Sequence, residues 1–144
     1  MAYELRPYQK ECKDILDKTP TGNHLVVMAT GLGKTVVMTH LKRNGRVLLL
    51  SHRDELVRQP EKYFDCSFGI EKAEEHAGDE EVVSASVQSL SRPDRMKRFA
   101  PDAFDTIIID EAHHSAAKSY RAVLDYFSGA KRRIGFTRHS AARG

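Results

Sequence analysis

"MATGLGKT", residues 28 to 35, is the stretch on which this 144-residue chain turns, because it falls where an apolar run, "HLVVMA" at 24 to 29, gives way to a helix-forming segment. At such a strand-to-helix junction the backbone N–H groups of Gly31, Leu32, Gly33, Lys34 and Thr35 can converge on phosphate oxygens, helped by the positive end of the helix. The glycines let the chain come close without a Cβ in the way. Lys34 would then reach the β and γ phosphates of a nucleoside triphosphate, and the Thr35 hydroxyl would bind Mg²⁺. One departure from G-x-x-x-x-G-K-[ST] is visible, since Met28 stands at the first glycine position. A chance glycine turn is the competing reading, and the strand-helix context weighs against it.

Outward from this junction, short apolar runs alternate with segments of helical character. Strands are expected at 24–29, 46–51, 68–70 (weak), 81–86, 105–110 and 132–137. Helices are expected at Pro7 to about Lys18, with Ile15 and Leu16 facing the core, then Lys34 to about Arg43, Asp54 to Phe64, Pro93 to Phe99, and Lys118 to Tyr126. This alternation predicts an α/β fold with a mainly parallel central sheet, and runs apolar on both faces suit central strands covered by helices on each side.

A second chemical signal is "DTIIIDEAHHSA", residues 105 to 116, which places Asp110, Glu111, His113 and His114 at the end of an apolar run. Taken alone it could be a metal site, a proton-transfer site or a solvated loop. In an open α/β sheet ligands gather at the carboxyl ends of the strands, where both this stretch and "MATGLGKT" lie, so the two should face each other. In a P-loop protein Asp110 would be the Mg²⁺ partner, through water, and Glu111 would orient or deprotonate the attacking water. A dedicated metal cage is the weaker reading, because adjacent histidines cannot both point at one site and no H-E-x-x-H spacing occurs.

The composition is that of one ordinary globular domain, 40% hydrophobic and 30% charged. No apolar run is long enough to cross a bilayer and the N-terminus lacks a signal-peptide core, so a cytoplasmic protein with no membrane partner is expected. Cys12 and Cys66 read as free thiols. The net charge of +3 says little, but Lys42, Arg43, Arg46, Arg53, Arg58, Arg92, Arg95, Lys97 and Arg98 fall near proposed loops and helix ends, where they could track a phosphate backbone. A solvated helix face is the simpler explanation.

These motifs together resemble the superfamily 2 helicases and translocases, whose DEAH-box members are named for the spelling found at 110 to 113. The resemblance covers almost the whole chain. It implies a three-layer α/β/α RecA-like P-loop NTPase domain over residues 1–137, using ATP and Mg²⁺ and partnered by nucleic acid, with DNA favoured over RNA. "LRPYQ", residues 5 to 9, is similar to the adenine-reading Q motif, which implies that Gln9 bonds the adenine edge and Arg6 lies near the base. "LLLSHRDELVRQ", residues 48 to 59, and "SASVQSL", residues 84 to 90, are similar to segments that touch the sugar-phosphate backbone, which nominates Ser51, His52, Arg53, Ser86 and Gln88. His113 would link the nucleotide site to the next motif. The spelling is nearest the branch of type I and type III restriction-enzyme motor subunits and related repair helicases.

After the last strand the family continues with a Ser/Thr-Ala-Thr triplet, whereas this chain reads "GFTRHSAARG": Thr137 fits and Arg138 and His139 do not. Residues 138–144 are therefore expected to be an aberrant or disordered tail, and a shifted reading frame that replaces Ala-Thr-Pro would explain it. The second RecA-like domain of such motors is not in the sequence. The expectation is the ATP-binding motor domain of a nucleic-acid-dependent ATPase, very slow in hydrolysis by itself. The alternative is a non-catalytic nucleotide- or nucleic-acid-binding fragment, with a small-molecule kinase a distant third.

Overall fold

The computed structural model describes residues 5–28, 31–112 and 117–137, and of Gly31, Leu32 and Asp54 the backbone alone. In chain order the elements are α1 (Pro7–Asp17), β1 (Gly22–Val27), α2 (Gly31–His40), β2 (Val47–Ser51), α3 (Asp54–Arg58), a 3-10 turn (Gln59–Tyr63), β3 (Phe68–Glu71), β4 (Val82–Ser86), α4 (Val87–Leu90), α5 (Pro93–Met96), β5 (Thr106–Asp110), α6 (Lys118–Tyr126) and β6 (Arg132–Thr137). Among the described residues the strands form one sheet in the order β1-β6-β5-β2-β4-β3, and every neighbouring pair is parallel.

Why these runs form this sheet follows from their alternation. Successive side chains of a strand point to opposite faces. Leu48, Leu50, Val83, Ala85, Ile107 and Ile109 face a core completed by Leu90, Met96, Phe99, Phe104, Tyr120, Val123 and Phe127, so α4, α5 and α6 cover that side. Val47, Leu49, Val82, Ile108, Ile134 and Phe136 face a second core with Leu16, Val37, Met38 and Leu41 from α1, α2 and the residue after α2. Each fully buried side chain of this size contributes about 1.5–3 kcal/mol, so a one-residue slip of a central strand would exchange both sets and is strongly opposed. The result is the expected three-layer α/β/α domain.

Several expected boundaries move. Strand β1 lies two residues earlier than predicted, as Gly22–Val27, and as an edge strand it leaves Leu25 and Val27 about half exposed. Helix α2 starts at Gly31 instead of Lys34, which brings the glycine turn itself into the helix. The single helix expected over 54–64 is α3 followed by a 3-10 turn, because Pro60 has no N–H to continue an α-helix ladder. The helix expected over 93–99 ends at Met96, and a short helix, α4, unexpectedly follows β4 directly. Ile15, assigned to the core, is 56% exposed, while its neighbour Leu16 is buried.

The lower end of the sheet is closed by Arg132, which is 2% exposed. Its guanidinium donates to the carbonyls of Leu16 (2.8 Å) and Lys42 (3.4 Å) and to Thr106 Oγ1 (3.3 Å), seating the carboxyl ends of α1 and α2 against β5 and β6. Burial pulls its pKa below the usual arginine value, against the opposing fields of Asp105 and Asp17. Among the described residues no helix is long and apolar enough to cross a membrane.

Candidate functional site

Chain leaving β2 passes onto one face of the sheet as α3, while chain leaving β5 passes onto the other as α6, and β2 and β5 are neighbours. Such a divergence opens a crevice at the carboxyl ends of the strands. Asp110 closes β5 there, and the first turn of α2 enters the same crevice. Lys34 is 5% exposed, a degree of burial a lysine tolerates only when paired, and its Nζ donates to Asp110 Oδ1 at 2.7 Å. The two stretches that the sequence expected to face each other do so, from 76 positions apart. Thr35, Ser51, Gln59 and Asp110 line one small cavity beside this pair. A hydroxyl and a carboxylate are oxygen donors of the kind Mg²⁺ takes, so Thr35 and Asp110 fit the expected ion. Within "MATGLGKT", Ala29 and Thr30 lie outside the described residues.

The "LRPYQ" segment is brought to this site. Gln9 is 5% exposed, accepts the Arg6 N–H at Oε1 (2.8 Å) and directs Nε2 toward the Gly33 carbonyl at 3.5 Å. It thus ties the start of α1 to the first turn of α2, while Arg6 is exposed beside it.

The five residues nominated for backbone contact collect at the tips of β2 and β4, where Ser51 and Ser86 are in register. Their side chains are not equally available. The Ser51 hydroxyl accepts the Arg53 N–H (3.2 Å) and contacts the Arg53 carbonyl (3.4 Å), and Ser86 Oγ donates to Gln88 Oε1 (2.9 Å). Both serines are buried, so their hydroxyls shape the tips. Gln88, exposed, donates from Nε2 to the His52 carbonyl at 2.7 Å and joins the two tips. Arg53 is the exposed cation of the group.

Two relationships here were missed in the sequence. Glu111 takes a φ of 56°, uncommon for a residue with a Cβ, and its carboxylate lies 3.5 Å from Arg53 Nη1. The tight turn it makes is possible because β6 carries Gly135 alongside: a Cβ there would sit 2.7 Å from the Ala112 Cβ. Below the turn, Tyr120 of α6 is 1% exposed and its hydroxyl has no hydrogen-bond partner among the described residues. Burial pushes its ionisation well above the usual phenol range, and the Asp110 and Glu111 carboxylates push the same way; the nearby His52 backbone opposes this only weakly. Tyr120 belongs to a helix that reads as simple core, so only its aromatic polarity could have signalled it.

Four of the basic residues weighed above as phosphate contacts or, more simply, as a solvated face are engaged by the protein itself. Arg95 (2.6 Å) and Arg98 (3.0 Å) turn onto Glu71, which is 0% exposed and also accepts the Ala77 N–H. Arg46 donates to the carbonyls of Gly78 and Glu80 and lies over the Phe104 ring, and Arg58 pairs with Glu75. Cys12 and Cys66 are free, with thiol pKa values raised chiefly by burial. His113, His114 and the 138–144 tail lie outside the described residues, and no group of three or more potential metal ligands gathers among those described.

Residues 2–138 match the family described as "Type III restriction enzyme, res subunit". The chain belongs to that family. Within and near it, the chain is 37% identical over 145 residues to the putative ATP-dependent helicase IRC3 of Saccharomyces cerevisiae, covering 85% of this chain and 21% of that protein. It is 36% identical over 131 residues to the type I restriction enzyme EcoAI endonuclease subunit of Escherichia coli, covering 78% of this chain and 16% of the other. The chain thus spans about a fifth of the length of these relatives. In three dimensions it superimposes on the Hef helicase domain of Pyrococcus furiosus with a TM-score of 0.73, at 24% identity, over 93% of this chain and 33% of that one. The fold is the RecA-like three-layer α/β/α fold shared with the helicase domains on which the chain superimposes.

Proposed function

We propose that the chain is the N-terminal, ATP-binding motor domain of a nucleic-acid-dependent ATPase, a DNA helicase or translocase of the kind that drives restriction enzymes, with the cytoplasm as its place of work. The observation that carries this reading is the Lys34–Asp110 pair at 2.7 Å, which gathers the phosphate-binding turn and the acidic strand end at one point. A triphosphate would draw Lys34 onto its β and γ phosphates, releasing Asp110. Thr35 and Asp110 would hold Mg²⁺, Asp110 through water, and that ion would neutralise charge on the transferred phosphoryl group. The N–H groups of Gly31 to Thr35 would cradle phosphate oxygens, Gln9 and Arg6 would read the adenine, and Glu111 would orient the attacking water. His113 would relay the state of the nucleotide to the segment after β6. The tips of β2 and β4, with Arg53 and Gln88 outward, His52 half-buried beside them and Ser51 and Ser86 as their internal braces, would meet a strand's phosphates.

Residues 1–137 would form this domain, with 138–144 a tail of aberrant sequence. The arginines that complete such a site would come from a second RecA-like domain, and an arginine supplied in this way is worth about 10³–10⁵ in rate, so residues 1–137 assayed without such a domain would hydrolyse slowly. The relatives named as an ATP-dependent helicase and as a restriction enzyme subunit support the motor reading. Steady-state ATPase activity with and without single-stranded and duplex DNA, on this chain and on a version extended through a second RecA-like domain, tests it. Stimulation by DNA in the extended protein is expected. Tight DNA binding with no stimulation there would leave only a binding fragment.

A further inference from the structure

Arg53 occupies a position between two carboxylates that the proposed roles do not use. Its Nη2 and Nε lie 2.9 and 3.1 Å from Glu55 Oε1, and its Nη1 reaches Glu111 Oε2 at 3.5 Å. Half of the Arg53 side chain is exposed, whereas Glu111 is only 19% exposed. The backbone of Arg53 is pinned by Ser51, so the guanidinium can swing while its root stays in place. The Glu111 contact is longer than the 2.7–2.9 Å of a tight charge-assisted bond, and half-exposed pairs of this kind exchange readily. A phosphodiester offers the guanidinium fork the same paired oxygens that a carboxylate does, and the Arg53 guanidinium already faces solvent.

We infer that Arg53 is a positioning residue for Glu111: it holds the Glu111 carboxylate aside until a nucleic-acid phosphate takes the guanidinium and releases the carboxylate to the attacking water. This rests on the proposed roles of Glu111 and of the β2 tip. It makes a strand phosphate and the Glu111 carboxylate compete for one side chain, so stimulation by nucleic acid has a physical origin in this domain. Glu55 sets the balance, because it holds the other edge of the same fork.

Two readouts on the whole chain test it, with oligodeoxythymidine as the probe and its binding followed by fluorescence anisotropy. In the first, Arg53→Ala raises DNA-independent ATP turnover about three- to tenfold, a part of the 10²–10⁴ that a positioned base supplies, and brings the stimulation ratio toward one. Arg53→Lys restores part of the restraint. Glu55→Gln acts in the opposite direction and lowers the DNA-independent rate. The second readout needs no turnover: the Arg53 Nε–H resonance moves in Glu111→Gln, and in the wild type it moves when oligodeoxythymidine binds. A resonance unmoved by bound oligodeoxythymidine overturns the inference, as does an Arg53→Ala variant with unchanged or lower basal turnover and intact stimulation. If the wild type binds Mg-ATP but no oligodeoxythymidine, the inference and the nucleic-acid part of the motor reading fall together while the nucleotide site stands.

Discussion

Lys34 and Asp110 share a 2.7 Å ion pair with 6% and 20% of their side chains exposed, so the glycine-lysine turn at the start of α2 and the acidic tip of β5 hold each other. A charge buried to this extent is costly when its partner is removed. The pair therefore keeps these two segments together, and under the proposed function the same two groups would part when a triphosphate enters.

Lys34→Ala and Asp110→Asn should each destabilise the nucleotide-free chain, and the double variant should lose less than the sum, with a coupling of about 1–3 kcal/mol in urea denaturation. Mg-ATP should raise the stability of the wild type, because a ligand that binds only the folded state shifts the equilibrium toward it. It should leave Lys34→Ala unchanged. Unaltered nucleotide affinity in Lys34→Ala, measured by titration calorimetry, would remove Lys34 from the phosphate cradle.

Gly135 provides a second test, through shape alone. A Cβ placed 2.7 Å from that of Ala112 must push the turn after β5 away from β6. Gly135→Ala should cost about 1–3 kcal/mol, the usual range for overpacking. Glu111 follows that turn, so turnover in a protein carrying both RecA-like domains should fall more than nucleotide affinity does. Equal losses in both would show that the turn does not place Glu111.

Glu71 should be among the most sensitive positions in the molecule even though it lies away from the Lys34–Asp110 crevice. It is 0% exposed and serves Arg95, Arg98 and the Ala77 N–H at once. Glu71→Gln leaves the buried Arg95 charge without a counterion and should cost about 3–5 kcal/mol in chemical denaturation. Arg92→Ala, on an exposed neighbour, should cost little.

Tyr120 carries a pH signature. Its pKa is raised in the folded chain, mainly by burial, so the folded state keeps its phenol proton after the unfolded state, with a tyrosine near 10, has lost it. Stability from this group is therefore full below about pH 10 and is lost as pH rises through the raised folded value. Tyr120→Phe should flatten the alkaline limb of a thermal-stability profile. At neutral pH it should be neutral or stabilising by about 1 kcal/mol, since it removes a buried hydroxyl with no hydrogen-bond partner among the described residues. A large loss at neutral pH would mean that the hydroxyl is bonded in solution.

Much of the architecture was legible because it is written in periodicity. "RVLLLS" and "DTIIID" could be read as central strands from their unbroken apolar character, and both are. The exceptions have local causes: Pro60 divides a helix, and "VQSL" continues the apolar spelling of β4 but turns helical at once as α4. Ile15 and Leu16 are adjacent and equally apolar, and only the seating of α1 on the sheet separates the exposed one from the buried one. The basic residues were least legible. Arg53 and Arg95 look alike in a sequence, yet one faces solvent at a strand tip and the other neutralises a buried glutamate.

The sequence by itself determined the parallel α/β class, the order of the six strands along the chain and the two stretches that had to meet, because apolar periodicity and a glycine-lysine turn at a strand end are local properties. Tertiary structure alone decided that β5 lies between β6 and β2, that Lys34 pairs with Asp110, and that Arg53 reaches Glu111. Those outcomes depend on which strands become neighbours and which charges lose their water, and both are set by packing between residues far apart in the chain.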